Sequence, residues 1–223
     1  MFKKVLIAED QESANLSVQR TLEDLGVPNH PQRYVFYCDH ALSWIQNAVR
    51  KHEAYDLLIT DLSFEADDNQ QQLDGGMALI KAAKQAQPDL KVLVFSAENK
   101  PAVIDQLFAN LSIDAYVRKA RNDAKELKMA IKAIYDGKTY LSTDLRQLIK
   151  DKNTYEFSPL DITIISLLAE GTLQKDIPLY LQQNDITPSS LSSVEKRLNL
   201  MKEVLGFGKN EQLVAYCKDY GFI

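Results

Sequence analysis

Asp56-Leu57-Leu58-Ile59-Thr60-Asp61 is the stretch whose reading decides the fold. A short apolar run closed by an acid at each end reads as a strand buried on both faces. Working outward, Val5-Leu6-Ile7-Ala8, Tyr34 to Tyr37, Val92-Leu93-Val94-Phe95 and Ala115-Tyr116-Val117 read the same way. Helical spacing fills the gaps between them. It runs from 12 to 25 through Ala14, Val18 and Leu22, with Gly26 as a stop, and from Ala41 to Val49. It returns from Met77 to Ala86, ahead of Pro88, then from Pro101 to Leu111 and from Asp123 to Tyr135, before Gly137. Strand and helix alternating five times predicts a doubly wound five-stranded parallel sheet of the α/β class.

Beyond Gly137 the strand pattern stops. A short helix is expected over Thr143 to Lys150 and a polar linker over Asp151 to Phe157. All-helical periodicity follows: Ser158 to Glu170, Leu173 to Gln183, Ser189 to Leu205 and Asn210 to Tyr220. The organisation expected is one domain over 1–122, a last helix of that domain plus linker over 123–157, and a small all-α domain over 158–223. Pro178 falls inside the second of these helices, where an interior proline costs about 3 kcal/mol.

The chain has 223 residues, a net charge of −5 and two cysteines, Cys38 and Cys217. Two cysteines build no disulfide framework and show no metal spacing, and no apolar run approaches the roughly 18 residues of a membrane span. The apolar run after Lys3-Lys4 is stopped by Glu9-Asp10, too soon for a signal peptide. A cytoplasmic protein away from membranes is expected. Residues 1–121 net −4, 122–150 net +2 and 151–223 net −3, so no segment is a basic nucleic-acid footprint.

In open parallel sheets, ligands sit beyond the carboxyl ends of the strands. There this sequence places Glu9 and Asp10, Asp61, Ser96 and Lys119. Three close carboxylates repel one another, and a hard cation such as Mg²⁺ removes that penalty. A lysine and a hydroxyl beside them suit a phosphoryl group, toward which a metal-neutralised aspartate is a nucleophile. A single aspartate after a strand is usually a helix cap or turn residue; five such groups at four strand ends are not accounted for that way.

This constellation resembles the receiver domain of two-component response regulators, over about residues 3 to 121. It is carried by Val5 to Asp10, Leu58 to Asp61, Val92 to Ala97 and Tyr116-Val117-Arg118-Lys119. The resemblance implies Asp61 as phosphoacceptor. It implies Mg²⁺ held by Glu9, Asp10, Asp61 and the backbone carbonyl of Ser63. Lys119 then contacts the phosphoryl oxygens, Ser96 closes on them, and Tyr116 rotates inward behind. The family's Met-Pro-like pair is replaced by Ser63-Phe64-Glu65 and an extended acidic loop before Gly75-Gly76, and Ala120 follows Lys119. Similar lengthening, and the Asp61-Leu62-Ser63 start, occur in regulators of the RcsB type.

The C-terminal helices resemble the LuxR/NarL helix-turn-helix domain. The resemblance rests on Phe157 to Asp161, Leu167 to Gly171, Lys175-Asp176-Ile177, Ser193 to Arg197 and Leu205-Gly206-Phe207. It places Val194, Leu198, Met201 and Leu205 toward the core, and Ser192, Ser193, Lys196 and Arg197 toward DNA. Arg197 is the candidate for a base edge and Lys196 for phosphate. The resemblance implies no classical enzyme but a phosphoacceptor that at most catalyses its own phosphoryl transfer and dephosphorylation. It further implies a sensor histidine kinase, promoter DNA and a phosphorylation-promoted homodimer as partners. The acidic balance of residues 151–223 keeps a second reading open, in which the helical domain binds a protein rather than DNA. A phosphatase of the haloacid-dehalogenase kind needs a second aspartate two residues after the first, where Ser63 stands.

Overall fold

A computed structural model describes residues 1–28, 30, 33–65, 71–146 and 155–223. They form two compact units, residues 1–99 with 103–146, and residues 100–102 with 155–223. Among the described residues, no helix is long and apolar enough to cross a membrane.

The first unit is an α/β sheet with strands β1 (Val5–Ala8), β2 (Tyr34–Val35), β3 (Leu57–Thr60), β4 (Lys91–Ser96), β5 (Ala115–Arg118) and β6 (Tyr140–Leu141). All pair in parallel, in the order β2-β1-β3-β4-β5-β6. Between them run α1 (Glu12–Asp24), α2 (Cys38–Arg50), α3 (Gly75–Ala86), α4 (Pro101–Leu111) and α5 (Asp123–Tyr135). Every residue of β1 and β3 is buried, as their unbroken apolar runs require. Val5, Ile7, Leu57, Ile59, Leu93 and Phe95 join α1 and α5 in one core through Val18, Leu22, Leu127 and Ile131. Their neighbours Leu6, Leu58, Val92 and Val94 are as fully buried and point to the other face, since side chains alternate along a strand.

Two differences from the sequence reading concern β-structure. β6 makes the sheet six-stranded rather than five. Two residues are too few to show a period, and the strand is set by pairing: Tyr140 N–H donates to Asp114 O and Ser142 N–H to Tyr116 O, each over 3.0 Å. β2 is only two residues long, and α2 begins at Cys38 instead of Ala41, with Asp39 in its first turn facing the positive end of the helix. The helix expected over 143–150 starts at residue 143; its part beyond 146, and residues 151–154 of the expected linker, lie outside the described residues.

α3 begins at a glycine pair for a steric reason. Gly76 N–H donates to Leu62 O over 2.9 Å, so the helix start lies against the loop after β3. A Cβ on Gly76 would sit 1.9 Å from the Asp61 carbonyl oxygen, and Gly75 has φ +80°.

The second unit has α6 (Pro159–Ala169), α7 (Ile177–Gln183), α8 (Leu191–Leu205) and α9 (Asn210–Asp219) around Ile164, Ile165, Ile177, Leu181, Val194, Leu198, Met201, Leu213 and Cys217. The helix expected from Leu173 starts instead at Ile177, after a turn closed by Asp176 N–H to Leu173 O at 2.8 Å. Pro178 therefore lies in a first helical turn, where its missing N–H has no partner to lose. Ser158 and Asp161 form a capping box at the start of α6. Asp161 is fully buried. It accepts from Ser158 N–H at 2.9 Å, from the Ser158 hydroxyl at 2.7 Å, and from Arg197 Nε at 2.7 Å and Nη2.

This arrangement corrects the expectation for Arg197. It lies on α8 as expected, but its guanidinium turns inward, onto Asp161 and the Ser158 hydroxyl at 3.0 Å. A buried carboxylate without a counter-charge is costly, so the fork that would have read a base is engaged within the domain.

Two predictions follow from these contacts. Gly76→Ala forces the loop backbone at Asp61 to move, and the first unit should lose about 3 kcal/mol in urea unfolding. Arg197→Ala leaves Asp161 buried and unpaired, and the second unit should lose about 3 kcal/mol. Burial alone would raise the Asp161 carboxyl, but the Arg197 and Ser158 hydrogen bonds outweigh it and hold its pKa below the ordinary value. Its contribution is complete above the unfolded-state pKa and is lost as pH falls through the lower folded value. Denaturation followed on the α6–α9 amides should show that loss below about pH 4, and Arg197→Ala should abolish it.

Candidate functional site

The strand order reverses at β1: the chain leaves it for β2 on one side and returns to β3 on the other. That switch point is where a crevice opens beyond the strand ends. The register Ala8↔Thr60 puts the next residues of β1 and β3 side by side, and Asp61 N–H donates to Ala8 O over 3.1 Å. The register Ser96↔Arg118 does the same for β4 and β5, with Lys119 N–H donating to Ser96 O over 2.8 Å.

Glu9, Asp10 and Asp61 accordingly converge, with one oxygen of each inside 4.8 Å of the others. Glu9 is 2% exposed and Asp61 3%. Lys119 Nζ reaches both, 2.7 Å from Asp61 Oδ2 and 2.9 Å from Glu9 Oε2, and lies over the Phe95 ring. Burial pushes the Glu9 carboxyl up to about 6, against the pull of Lys119. Burial on its own would lower Lys119, but its bonds to Asp61 and Glu9 prevail and keep it charged. Asp61 Oδ1 accepts from Leu62 N–H at 2.6 Å and Ser63 N–H at 3.4 Å. Asp10 Oδ2 accepts from Glu65 N–H at 2.6 Å, while its Oδ1 is buried without a partner.

That orphaned oxygen tests the site for a cation. Two carboxylates are partly neutralised by one lysine, the third has an oxygen that nothing satisfies, and all the donors are hard oxygens. The set fits a hard divalent cation. Of Ser63, expected to offer its carbonyl, the amide is the group seen to point at Asp61.

Ser96 and Tyr116 are buried beside this cluster. The Tyr116 hydroxyl donates to the Glu98 carbonyl over 2.8 Å, so the ring is turned inward. Burial pushes its phenol well above the ordinary range, and the Ser96 hydroxyl offsets part of that. On α8, Ser192 and Lys196 are exposed, whereas the Ser193 hydroxyl lies 2.7 Å from that of Ser190, the residue whose side chain caps the helix.

Sequence reasoning missed two contributors. One is the Glu98 backbone carbonyl, which carries no side-chain signal. The other is Asp39, an acid just after β2, whose position beyond a strand end was the available clue. Its carboxylate accepts from Gln72 N–H at 2.7 Å and Leu73 N–H at 3.0 Å.

No family model matches the chain. The transcriptional regulatory protein RcsB of Escherichia coli and that of Salmonella typhimurium are each 27% identical over 217 residues, 95% of this chain and 92% of theirs. A solved structure of Salmonella typhimurium RcsB superposes with a TM-score of 0.69 at 24% identity, covering 97% of this chain and 99% of that one. An RcsB–DNA complex gives 0.63 at 24% identity, over 97% and 98%. The isolated receiver domain of Salmonella enterica RcsB, solved with the phosphomimetic BeF₃⁻, gives 0.53 at 26% identity, over 66% of this chain and 97% of that one. Fold, strand-end cluster and similarity over nearly the whole length agree: the chain is similar to the transcriptional regulatory protein RcsB and shares the fold of its solved structures.

Proposed function

We propose that this chain is a phosphorylation-controlled transcription regulator: a sensor histidine kinase phosphorylates Asp61, and the helical unit acts on promoter DNA. The observation that supports it most is Lys119 Nζ, 2.7 Å from Asp61 and 2.9 Å from Glu9, a cation already placed beside a buried nucleophile. An Asp61 oxygen forms the new P–O bond as the bond from phosphorus to the donor's imidazole nitrogen breaks, and that nitrogen keeps the electron pair. Lys119 then serves the phosphoryl oxygens, the Ser96 hydroxyl donates to them, and Tyr116 packs behind. Mg²⁺, held by Glu9, Asp10, Asp61 and the Ser63 carbonyl, supplies the charge that offsets repulsion between carboxylate and phosphoryl group.

On the helical unit the outward groups are Ser192 and Lys196, with Ser193 at the edge of the cap. A phosphorylation-promoted homodimer doubles such a weakly cationic surface and gains by effective concentration. The inward turn of Arg197 favours a second reading, in which this acidic unit binds a protein partner.

Acetyl phosphate with Mg²⁺ should add one phosphoryl mass to the chain and none to Asp61→Asn; equal labelling of that variant would overturn the assignment. In salt-titrated gel shifts of the phosphorylated protein, Lys196→Ala should lower the salt slope by about one unit without altering fragment preference. Should no fragment be preferred over random DNA, the protein-binding reading takes over.

A further inference from the structure

The backbone of the phosphoacceptor loop is held from three directions, and one holder lies outside the carboxylate cluster. Leu62 and Ser63 N–H orient the Asp61 carboxylate. The Leu62 carbonyl accepts from Gly76 N–H at 2.9 Å, and the Asp61 carbonyl lies so near Gly76 that no side chain fits. The chain that enters this glycine pair is gripped three residues earlier. There Asp39, in the first turn of α2, takes both Gln72 N–H (2.7 Å) and Leu73 N–H (3.0 Å), one on each carboxylate oxygen. α2 and α3 pack side by side, so the start of one helix fixes the approach to the start of the other.

We propose that Asp39 is a positioning residue for Asp61: by holding the Gln72 and Leu73 amides it sets Gly75-Gly76 against the Asp61-Leu62 backbone, and so the aim of the phosphoacceptor carboxylate. The proposal rests on the reading of Asp61 as phosphoacceptor. A receiver with a short loop after its acceptor has little chain to secure. Here Ser63 to Asp74 intervene, and a chain of that length would otherwise reach Gly75 with many orientations. Paired amides on one carboxylate are charge-assisted and directional, which suits them to end such a segment. Glu65 N–H on Asp10 Oδ2 secures the other end.

The test uses the full-length protein as wild type, Asp39→Ala and Asp39→Asn. Phosphorylation is followed at saturating Mg²⁺ and acetyl phosphate, urea stability is measured in parallel, and the Leu62 and Leu73 amide resonances are observed by ¹⁵N correlation spectra. Asp39→Ala should slow phosphorylation about tenfold, the worth of one charge-assisted hydrogen bond. Its Leu62 amide, which donates to Asp61 rather than to Asp39, should shift. Asp39→Asn keeps one accepting oxygen and should fall between Asp39→Ala and wild type. A folded Asp39→Ala with the wild-type rate and an unmoved Leu62 resonance overturns the proposal. If Asp39→Ala unfolds, Asp39→Asn decides by the same two readouts. Wild type that takes no phosphoryl group overturns the reading of Asp61 itself, a result distinct from equal rates in wild type and variant.

Discussion

Three carboxylates meet at one corner of the sheet, and they tolerate one another because Lys119 stands among them. Glu9 and Asp61 have lost nearly all contact with water, and a buried carboxylate without compensation is costly. One ammonium bonded to both lets them be packed. It does not satisfy Asp10, whose Oδ1 stays buried and unpaired. The corner is thus left short of positive charge by design of its donor set. A charged group added at this corner would change the share of Lys119 that the carboxylates receive. Burial, which pushes Glu9 up to about 6, is what makes the corner responsive to such additions.

Much of this was legible in the sequence because it rests on signals of order one strand or one helix. β1, β3 and β4 are largely apolar runs, α4 begins at Pro101 as expected, and α5 ends just before Gly137. The convergence of Glu9, Asp10, Asp61 and Lys119 was legible because these residues stand just beyond the ends of β1, β3 and β5. What escaped was set by tertiary partners. β6 exists through pairing with β5, the start of α7 through a turn at Leu173, and the direction of the Arg197 side chain through Asp161. The sequence reading put Arg197 on the outward stripe of α8, toward DNA. It could not say that a buried capping carboxylate on α6 would capture it.

That capture is the same physics at the other end of the chain. In the first unit a lysine compensates buried acids beyond the strand ends. In the second an arginine compensates a buried acid at a helix cap, where Ser158 and Asp161 already satisfy one another. A capping box on its own leaves a buried charge. The bidentate fork of Arg197 balances it and ties α8 to α6, at the expense of one cation on the outward surface. With Glu195 and Glu203 beside Lys196 and Lys202, the outer face of α8 is close to neutral. Any grip on DNA must therefore come from positioned contacts and from two copies rather than from a strong local field.

The lengthened loop after Asp61 shows why such an insertion is compatible with an intact site. The entropic cost of closing a loop grows only slowly with its length, so extra residues between Ser63 and Asp74 weigh little if both ends are held. One end is held by Asp10 through the Glu65 amide, the other by Asp39 through Gln72 and Leu73. What the site cannot absorb is a change where the loop returns. At Gly76 the backbone of α3 touches the Asp61 carbonyl with no room for a methyl group. Length is free to vary in the middle of the loop because geometry is not free to vary at its end.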